Sequence, residues 1–171
     1  GIGGGSICST RIETGHGVPT FQSVIDCSKT DRRAMLIADG GIKNSGDIVK
    51  CLAAGADAVV LGSLLSGTRE TPGAILSDSS GIKYKSYRGM ASKAAQVAWR
   101  GSYSSNEGVS RNVAYKGLVT DILTELNRGI RSGLSYSGAK TVLELQVNAE
   151  FILQSSSGLT ESRTHIDGKA I

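Results

Sequence analysis

Short apolar runs, each closed by glycine or a small polar residue, alternate along the first third of the chain. Ala34-Met35-Leu36-Ile37-Ala38 is apolar throughout, the pattern of a strand covered on both faces, and it stops at Asp39-Gly40-Gly41. Asn44 or Ser45 is placed to cap a helix in which Ile48, Val49 and Leu52 share one face, and Gly55 ends it. A second apolar run, Ala58-Val59-Val60-Leu61, ends in Gly62-Ser63. Strand, helix and strand within about 30 residues predict a βαβ unit with parallel strands. Ahead of it, Pro19 introduces a short helix over 20–28 that carries Phe21, Val24 and Ile25 inward. Farther on, Leu118, Ile122, Leu126 and Ile130 recur every four residues, with Val119 and Leu123 alongside, and predict an amphipathic helix. Between them, 74–116 is less regular: a hairpin around Ser79-Ser80-Gly81, then a polar stretch rich in serine and glycine with no element assigned. No repeat of fixed period is present.

Both strands end in small or polar residues. In α/β folds, and above all in (β/α)8 barrels, that edge is where sites are built. A whole barrel takes about 250 residues, whereas this chain supplies two full strands and a strand stub ahead of Gly1. The expectation is therefore α/β architecture, the C-terminal part of a barrel from the loop after its sixth strand onward. A small doubly wound sheet is the rival, and it needs more strands than are found. The opening Gly-Ile-Gly-Gly-Gly has neither initiator Met nor cap and reads as a start inside a loop. Residues 1–171 are accordingly expected to form a single partial catalytic domain whose N-terminal strands are absent.

Composition narrows the classes. Charged residues at 20% and hydrophobic ones at 39% exclude a disordered chain or a coiled coil. The formal charge of +4 is spread without the basic run that nucleic-acid binding uses, and no apolar run reaches the roughly 18 residues of a membrane span. A soluble, cytoplasmic protein without nucleic-acid or membrane partners is the expectation. Glycine is the outlier, with 23 among 171 residues placed beside apolar runs, as in loops where backbone approaches a ligand. The three cysteines are odd in number and lack paired ligand spacing, which indicates neither zinc nor a disulfide framework.

The glycine-rich turn Gly3 to Ser6 leads into Cys8, which Ser9 and Thr10 follow. Such a turn exposes main-chain groups able to hold a phosphate or a cation, and its cysteine suits a thiolate nucleophile; a tight turn with a small buried residue fits the same pattern. Asp39 at a strand end is placed to bond a sugar diol or simply to form a turn. Gly62-Ser63, where a helix can begin, suits a phosphate or an ordinary cap. Glu107 lies in a polar loop. His16 and His165 have no carboxylate or nucleophile at motif spacing and read as surface or structural residues.

Resemblance decides among these. Gly-Ile-Gly-Gly-Gly-Ser-Ile-Cys-Ser-Thr-Arg with Thr14-Gly15 resembles the active-site cysteine loop of the IMP dehydrogenase and GMP reductase family. In the same order follow Ala38-Asp39-Gly40-Gly41-Ile42, Ser45-Gly46-Asp47, Ala53-Ala54-Gly55-Ala56-Asp57 and Leu61-Gly62-Ser63. Tyr87-Arg88-Gly89-Met90, Glu107-Gly108, Tyr115-Lys116-Gly117, Gly129-Ile130-Arg131-Ser132 and Gly138-Ala139 continue it, to about Ser162. The resemblance implies a TIM barrel and a purine nucleotide oxidoreductase. It makes Cys8 the nucleophile at purine C2, with Thr10 beside that carbon and Glu107 as its proton partner. It gives the nucleotide phosphate to Ser6, Gly41, Gly62, Ser63 and Tyr87, the ribose hydroxyls to Asp39, and the base to Gly89, Met90, Glu107 and Gly108. It also implies a monovalent cation such as potassium on carbonyls of Gly3, Gly5 and Cys8. A neighbouring subunit's Glu161, Ser162 and Arg163 would complete that site in a homotetramer. The residues that hold the nicotinamide cofactor are not indicated.

Departures from the family pattern bear on the reaction. Gly4 stands where a proline is usual, which loosens the loop in the unfolded state, and Ser9 replaces a threonine. Only 17 positions separate Met90 from Glu107, where the dehydrogenases carry a longer mobile flap with an Arg-Tyr pair that activates water. Arg100 and Tyr103 are present but not adjacent. The short interval, with Thr10 and Glu107, resembles the reductases and implies NADPH-dependent deamination of GMP to IMP. Gly67-Thr68-Arg69-Glu70-Thr71-Pro72-Gly73 and Gly158-Leu159-Thr160-Glu161-Ser162 look more like the dehydrogenases, which oxidise IMP to XMP with NAD. A nucleotide-binding half that needs a complementary N-terminal part is the third expectation.

Overall fold

The computed structural model describes residues 2–31 and 33–164. Its centre is the predicted βαβ unit: β1 (Ile37–Asp39), α3 (Ser45–Ala53) and β2 (Ala58–Val60), with α1 (Thr10–Thr14) and α2 (Thr20–Ser28) ahead of it. The strands run parallel, Ile37 opposite Ala58 and Asp39 opposite Val60. Asn44 is the cap of α3: its side-chain oxygen accepts from Asp47 N at 2.9 Å, while the Asp47 carboxylate accepts from Lys43 N at 3.0 Å. One orphan N–H of the first turn is thereby satisfied, and the chain entering the helix is pinned at Lys43. Ile48 and Leu52 are buried and Val49 half-buried, as their spacing implied. Phe21, Val24 and Ile25 of α2 face the same core, where Ala38 and Ala56 bring backbones close.

β1 differs from expectation. Ala34 and Met35 lie outside the strand, and Met35 and Ile37 are 72% and 55% exposed. Among the described residues β1 pairs only with β2, so one side of this short sheet is open rather than covered. Of the apolar run only Ile37 and Ala38 enter the strand, and burial depends on neighbours that a local pattern does not contain.

The irregular middle of the chain forms a second sheet. β3 (Leu76–Ser77), β4 (Lys83–Arg88) and β5 (Ser110–Ala114) are antiparallel in the order β3-β4-β5. The hairpin turn lies where predicted, closed by the Asp78 carboxylate, which accepts from Ser80 N at 2.8 Å and Ile82 N at 2.9 Å. The polar stretch that follows is not featureless: it holds α4 (Lys93–Arg100), capped by Ser92 and stopped by Gly101 at φ 75, and then β5.

α5 (Val119–Tyr136) runs beyond the predicted pattern and packs on α3 by a narrow stripe. Leu126 is buried and Ile122 and Ile130 are half-buried, but Leu123 faces solvent, and Leu118 precedes the helix as its cap. α6 (Val142–Asn148), capped by Thr141, drives Leu145 into the core, and α7 (Ser156–Glu161) follows. Among the described residues no helix is long and apolar enough to cross a membrane.

Candidate active site

Cys8 closes a turn, its N–H donating to Gly5 O at 3.1 Å, and α1 starts two residues later. This loop is held from two sides. On one, it lies directly on the loop that leaves β1. Gly40 has φ +97, and a Cβ there would stand 3.0 Å from the Gly4 carbonyl carbon and 3.1 Å from Gly5 N. Only glycine permits that backbone contact. Gly4 is itself filled in: a Cβ there would meet the Thr20 hydroxyl at 2.4 Å. On the other side, Ser9 N donates to Glu107 O at 3.0 Å, Val109 N to Ile7 O at 3.0 Å, and the Ser9 hydroxyl to Asn106 O at 2.9 Å.

The same docking builds a proton relay. Cys8 Sγ lies 3.2 Å from Thr10 Oγ1, which donates to Glu107 Oε2 at 2.9 Å. Hydrogen bonding with the Thr10 side chain and main chain holds the Cys8 thiol below the ordinary cysteine pKa. These bonds outweigh burial and the Glu107 charge, which push it up; a Gly3 main-chain bond also lowers it. Cys51, buried on α3, is pushed the other way by desolvation first and Asp47 second. Cys27 is exposed on α2. Of the three thiols, Cys8 alone combines partial exposure with a lowered pKa.

The remaining predicted residues fall into groups. Asp39 is exposed at the C-terminal end of β1, with Gly41 two residues on, and both are tied to the cysteine loop through the Gly4–Gly40 contact. Ser6, in that loop, is exposed. Gly89 lies beside Ile7 O, and Gly108 is wedged against Ser92, where a Cβ would meet Ser92 N at 2.9 Å. Met90 is 76% exposed. Gly62 and Ser63 leave β2 as a series of turns, not the helix start expected of them, with Leu65 N and Ser66 N both reaching Gly62 O at 3.1 Å. Tyr87 directs its hydroxyl at Gly62, 3.1 Å from where a Cβ would be.

Glu161, Ser162 and Arg163 stand exposed at the end of α7, where the Ser162 hydroxyl donates to Gly158 O at 2.8 Å and accepts from Gln154 at 2.6 Å. Among the described residues, no hydrogen bond links them to Gly3, Gly5 or Cys8 of their own chain. No cluster of three or more acidic, histidine or cysteine groups is set to hold a metal there either. A cation on this loop would have to use carbonyls, of which Gly5 O already accepts from Cys8 N. His16 is exposed and bonds Thr14 locally; His165 lies outside the described residues.

Three polar residues have roles that the sequence does not assign. Gln96 is buried, and its amide is fully used: Nε2 donates to Ala91 O at 2.9 Å and Ser105 O at 2.8 Å, and Oε1 accepts from Ser104 N at 3.1 Å. It staples both ends of the segment between Met90 and Glu107. Lys85 and Lys116 bind main-chain carbonyls of the turns after β2. A polar residue at an inward helical position of an alanine-rich stretch was the available signal for Gln96. Arg100 stacks 4.7 Å over Trp99, and Lys93 lies 4.5 Å over Tyr103, so Arg100 and Tyr103 are engaged apart from each other.

A half-exposed, acidified thiol wired to a carboxylate at the strand-end edge of an α/β chain has the make-up of a cysteine-dependent enzyme. The comparisons give the family: the chain belongs to the IMP dehydrogenase/GMP reductase family of purine nucleotide oxidoreductases, whose domain matches residues 1–165. It is 49% identical to the inosine-5'-monophosphate dehydrogenase of Nitrosopumilus maritimus over 179 aligned positions, covering 96% of this chain and 37% of that protein. The Streptococcus pyogenes inosine-5'-monophosphate dehydrogenase is 46% identical, over 96% of this chain and 36% of that one. Among solved structures, a GMP reductase from Trypanosoma brucei in complex with guanosine 5'-monophosphate superposes with a TM-score of 0.89 at 44% identity. That match covers 95% of this chain and 35% of the reductase. The chain thus spans little more than a third of the relatives it matches.

Proposed function

We propose that the chain is the C-terminal part of a barrel enzyme that deaminates GMP reductively to IMP, with NADPH as the reductant. The observation that carries this reading is the Cys8–Thr10–Glu107 relay. Cys8 sheds its proton through Thr10 to Glu107, and the thiolate adds to purine C2. As the C2–N2 bond breaks, the same relay returns that proton to the departing nitrogen, which leaves as ammonia. NADPH, when bound, supplies the hydride that C2 then takes up, and cleavage of the carbon–sulfur bond restores the thiolate. Asp39 holds the ribose diol, and Ser6, Gly41, Gly62, Ser63 and Tyr87 hold the phosphate. Gly89, Met90 and Gly108 face the base. A monovalent cation on carbonyls of Gly3, Gly5 and Cys8, completed by 161–163 of another copy in a cytoplasmic homotetramer, belongs to the same reading. The N-terminal complement brings the first strands.

The segment between Met90 and Glu107 supports the reductive direction. Hydrolysing the adduct would need a base on a flap able to fill a vacated cofactor site, help worth roughly 10²–10⁴-fold. Here that segment is short and stapled by Gln96, and its arginine rests on Trp99.

Oxidation of IMP to XMP with NAD is the second reading, favoured by the dehydrogenase names of the curated relatives at 45–49% identity. One assay separates them. With its N-terminal complement, the protein should consume NADPH with GMP and release ammonia, and turn over IMP with NAD slowly or not at all. Efficient XMP formation reverses the assignment and makes Arg100 the first residue to test as the base.

A further inference from the structure

Lys85 is 1% exposed, yet its described polar partners are all main-chain carbonyls. Its Nζ donates to Thr68 O at 3.1 Å, to Arg69 O at 3.5 Å and to Thr71 O. Three acceptors match the three N–H groups of an ammonium, where a neutral amine has two. Among the described residues no carboxylate stands within ion-pair distance of it. Glu70, on the same loop, instead gives its carboxylate to Val119 N at 2.9 Å. Burying a cation on neutral acceptors alone is costly, so a counter-charge from elsewhere is called for.

Lys116 grips carbonyls of the neighbouring part of the loop from the surface. Its Nζ donates to Ser63 O at 2.8 Å and Leu64 O at 3.2 Å, and desolvation lowers its pKa. The two lysines flank one edge of the β4–β5 ladder, Lys85 on β4 and Lys116 just past β5. Main-chain bonds close the same junction: Lys116 N to Gly67 O at 2.9 Å and Arg69 N to Gly117 O at 2.8 Å. Five carbonyls of 63–71 are therefore gripped by two ammonium groups. Tyr87 is two positions along β4 from Lys85, hence on the same face, and its hydroxyl meets Gly62.

We propose that Lys85 and Lys116 are positioning residues for the substrate's phosphate. Lys116 holds the start of the loop after β2 and sets a positive charge on the Ser63 carbonyl, Lys85 holds the same loop farther on at Thr68 to Thr71, and the phosphate dianion supplies the counter-charge. Neither lysine touches the nucleotide. The proposal rests on the purine nucleotide reading above and extends it to residues outside the phosphate cradle itself.

The test uses the complemented enzyme and four variants, Lys116→Met, Lys116→Arg, Lys85→Met and Lys85→Arg. Lys116 lies at the surface, so its variants remain informative should Lys85→Met fail to fold. Removing one nearby charge at the effective dielectric of a half-buried site changes affinity by about tenfold. Lys116→Met should therefore raise KM for the nucleotide about tenfold with kcat within about twofold, and weaken competitive inhibition by inorganic phosphate by a similar factor. Binding of the matching nucleoside, guanosine or inosine, should stay the same, and Lys116→Arg should recover most of the loss. Equal losses for nucleotide and nucleoside, a fall in kcat at constant KM, or no change at all would each overturn the proposal. Wild-type enzyme that neither binds nor turns over GMP or IMP would overturn it together with the functional reading. Wild-type turnover with unaltered variants sinks the lysine roles alone.

Discussion

At the scale of single residues, Thr10 sets the chemistry available to Cys8. Its hydrogen bonds are the leading cause of the lowered thiol pKa, so the thiolate fraction at a given pH depends on it. Alkylation by iodoacetamide, followed by mass spectrometry against pH, should modify Cys8 at lower pH than an ordinary thiol and leave the buried Cys51 unmodified. Thr10→Val removes the side-chain bond and should move the Cys8 midpoint upward; an unmoved midpoint would show that Thr10 does not acidify the thiol. Cys8→Ala should cut turnover of the complemented enzyme by roughly 10³-fold or more, as loss of a nucleophile does, while nucleotide affinity changes little. Asp39 tests recognition separately from reaction. Exposed at the strand end, it is free to meet a diol, and Asp39→Ala should weaken nucleotide binding by about 1.5–3 kcal/mol. Calorimetry with the 2'-deoxynucleotide should then show the variant indifferent to the missing hydroxyl, and a retained ribose preference would remove Asp39 from that role.

At the scale of elements, the staple on α4 turns a sequence interval into a geometry. Gln96→Met keeps the volume and drops every bond, leaving the carbonyls of Ala91 and Ser105 unsatisfied at about 1–3 kcal/mol. Because Asn106 and Glu107 follow directly and hold Ser9 and Thr10, kcat should fall several-fold while KM stays close to wild type. Amide exchange over 101–106 should quicken in the same variant, and unchanged exchange would show that other bonds hold the segment. How much was legible beforehand follows from where the information lies. The caps and spacing of α2 and α3 are local, so their residues announced them, as did the Asp78 turn. β5 leaves no such mark because Ser-Arg-Asn-Val-Ala is mostly exposed and carries no alternating apolar face. Motif order points to Cys8, Thr10 and Glu107, which the fold brings into one hydrogen-bonded chain. The roles of Gln96, Lys85 and Lys116 are not legible there, because each acts on main-chain carbonyls, and a carbonyl has no letter in a sequence.

At the scale of the whole molecule, the open side of the β1–β2 pair governs behaviour. Both outer edges of that sheet carry unpaired main-chain groups among the described residues, and Met35, Ile37 and Val60 are exposed beside them. Such edges invite pairing with another chain. The isolated polypeptide should sediment as aggregates or dimers and melt without a sharp transition. Adding the N-terminal complement should give one species with cooperative unfolding and nucleotide turnover. A monomer that unfolds cooperatively and is fully active alone would contradict this. Where the complement is a separate polypeptide, those edges also make catalysis a matter of mass action. The fraction of assembled enzyme then follows the free concentration of the scarcer partner over the dissociation constant. Specific activity per mole of chain would climb with concentration and level off, and simple dilution would silence the enzyme as thoroughly as an inhibitor.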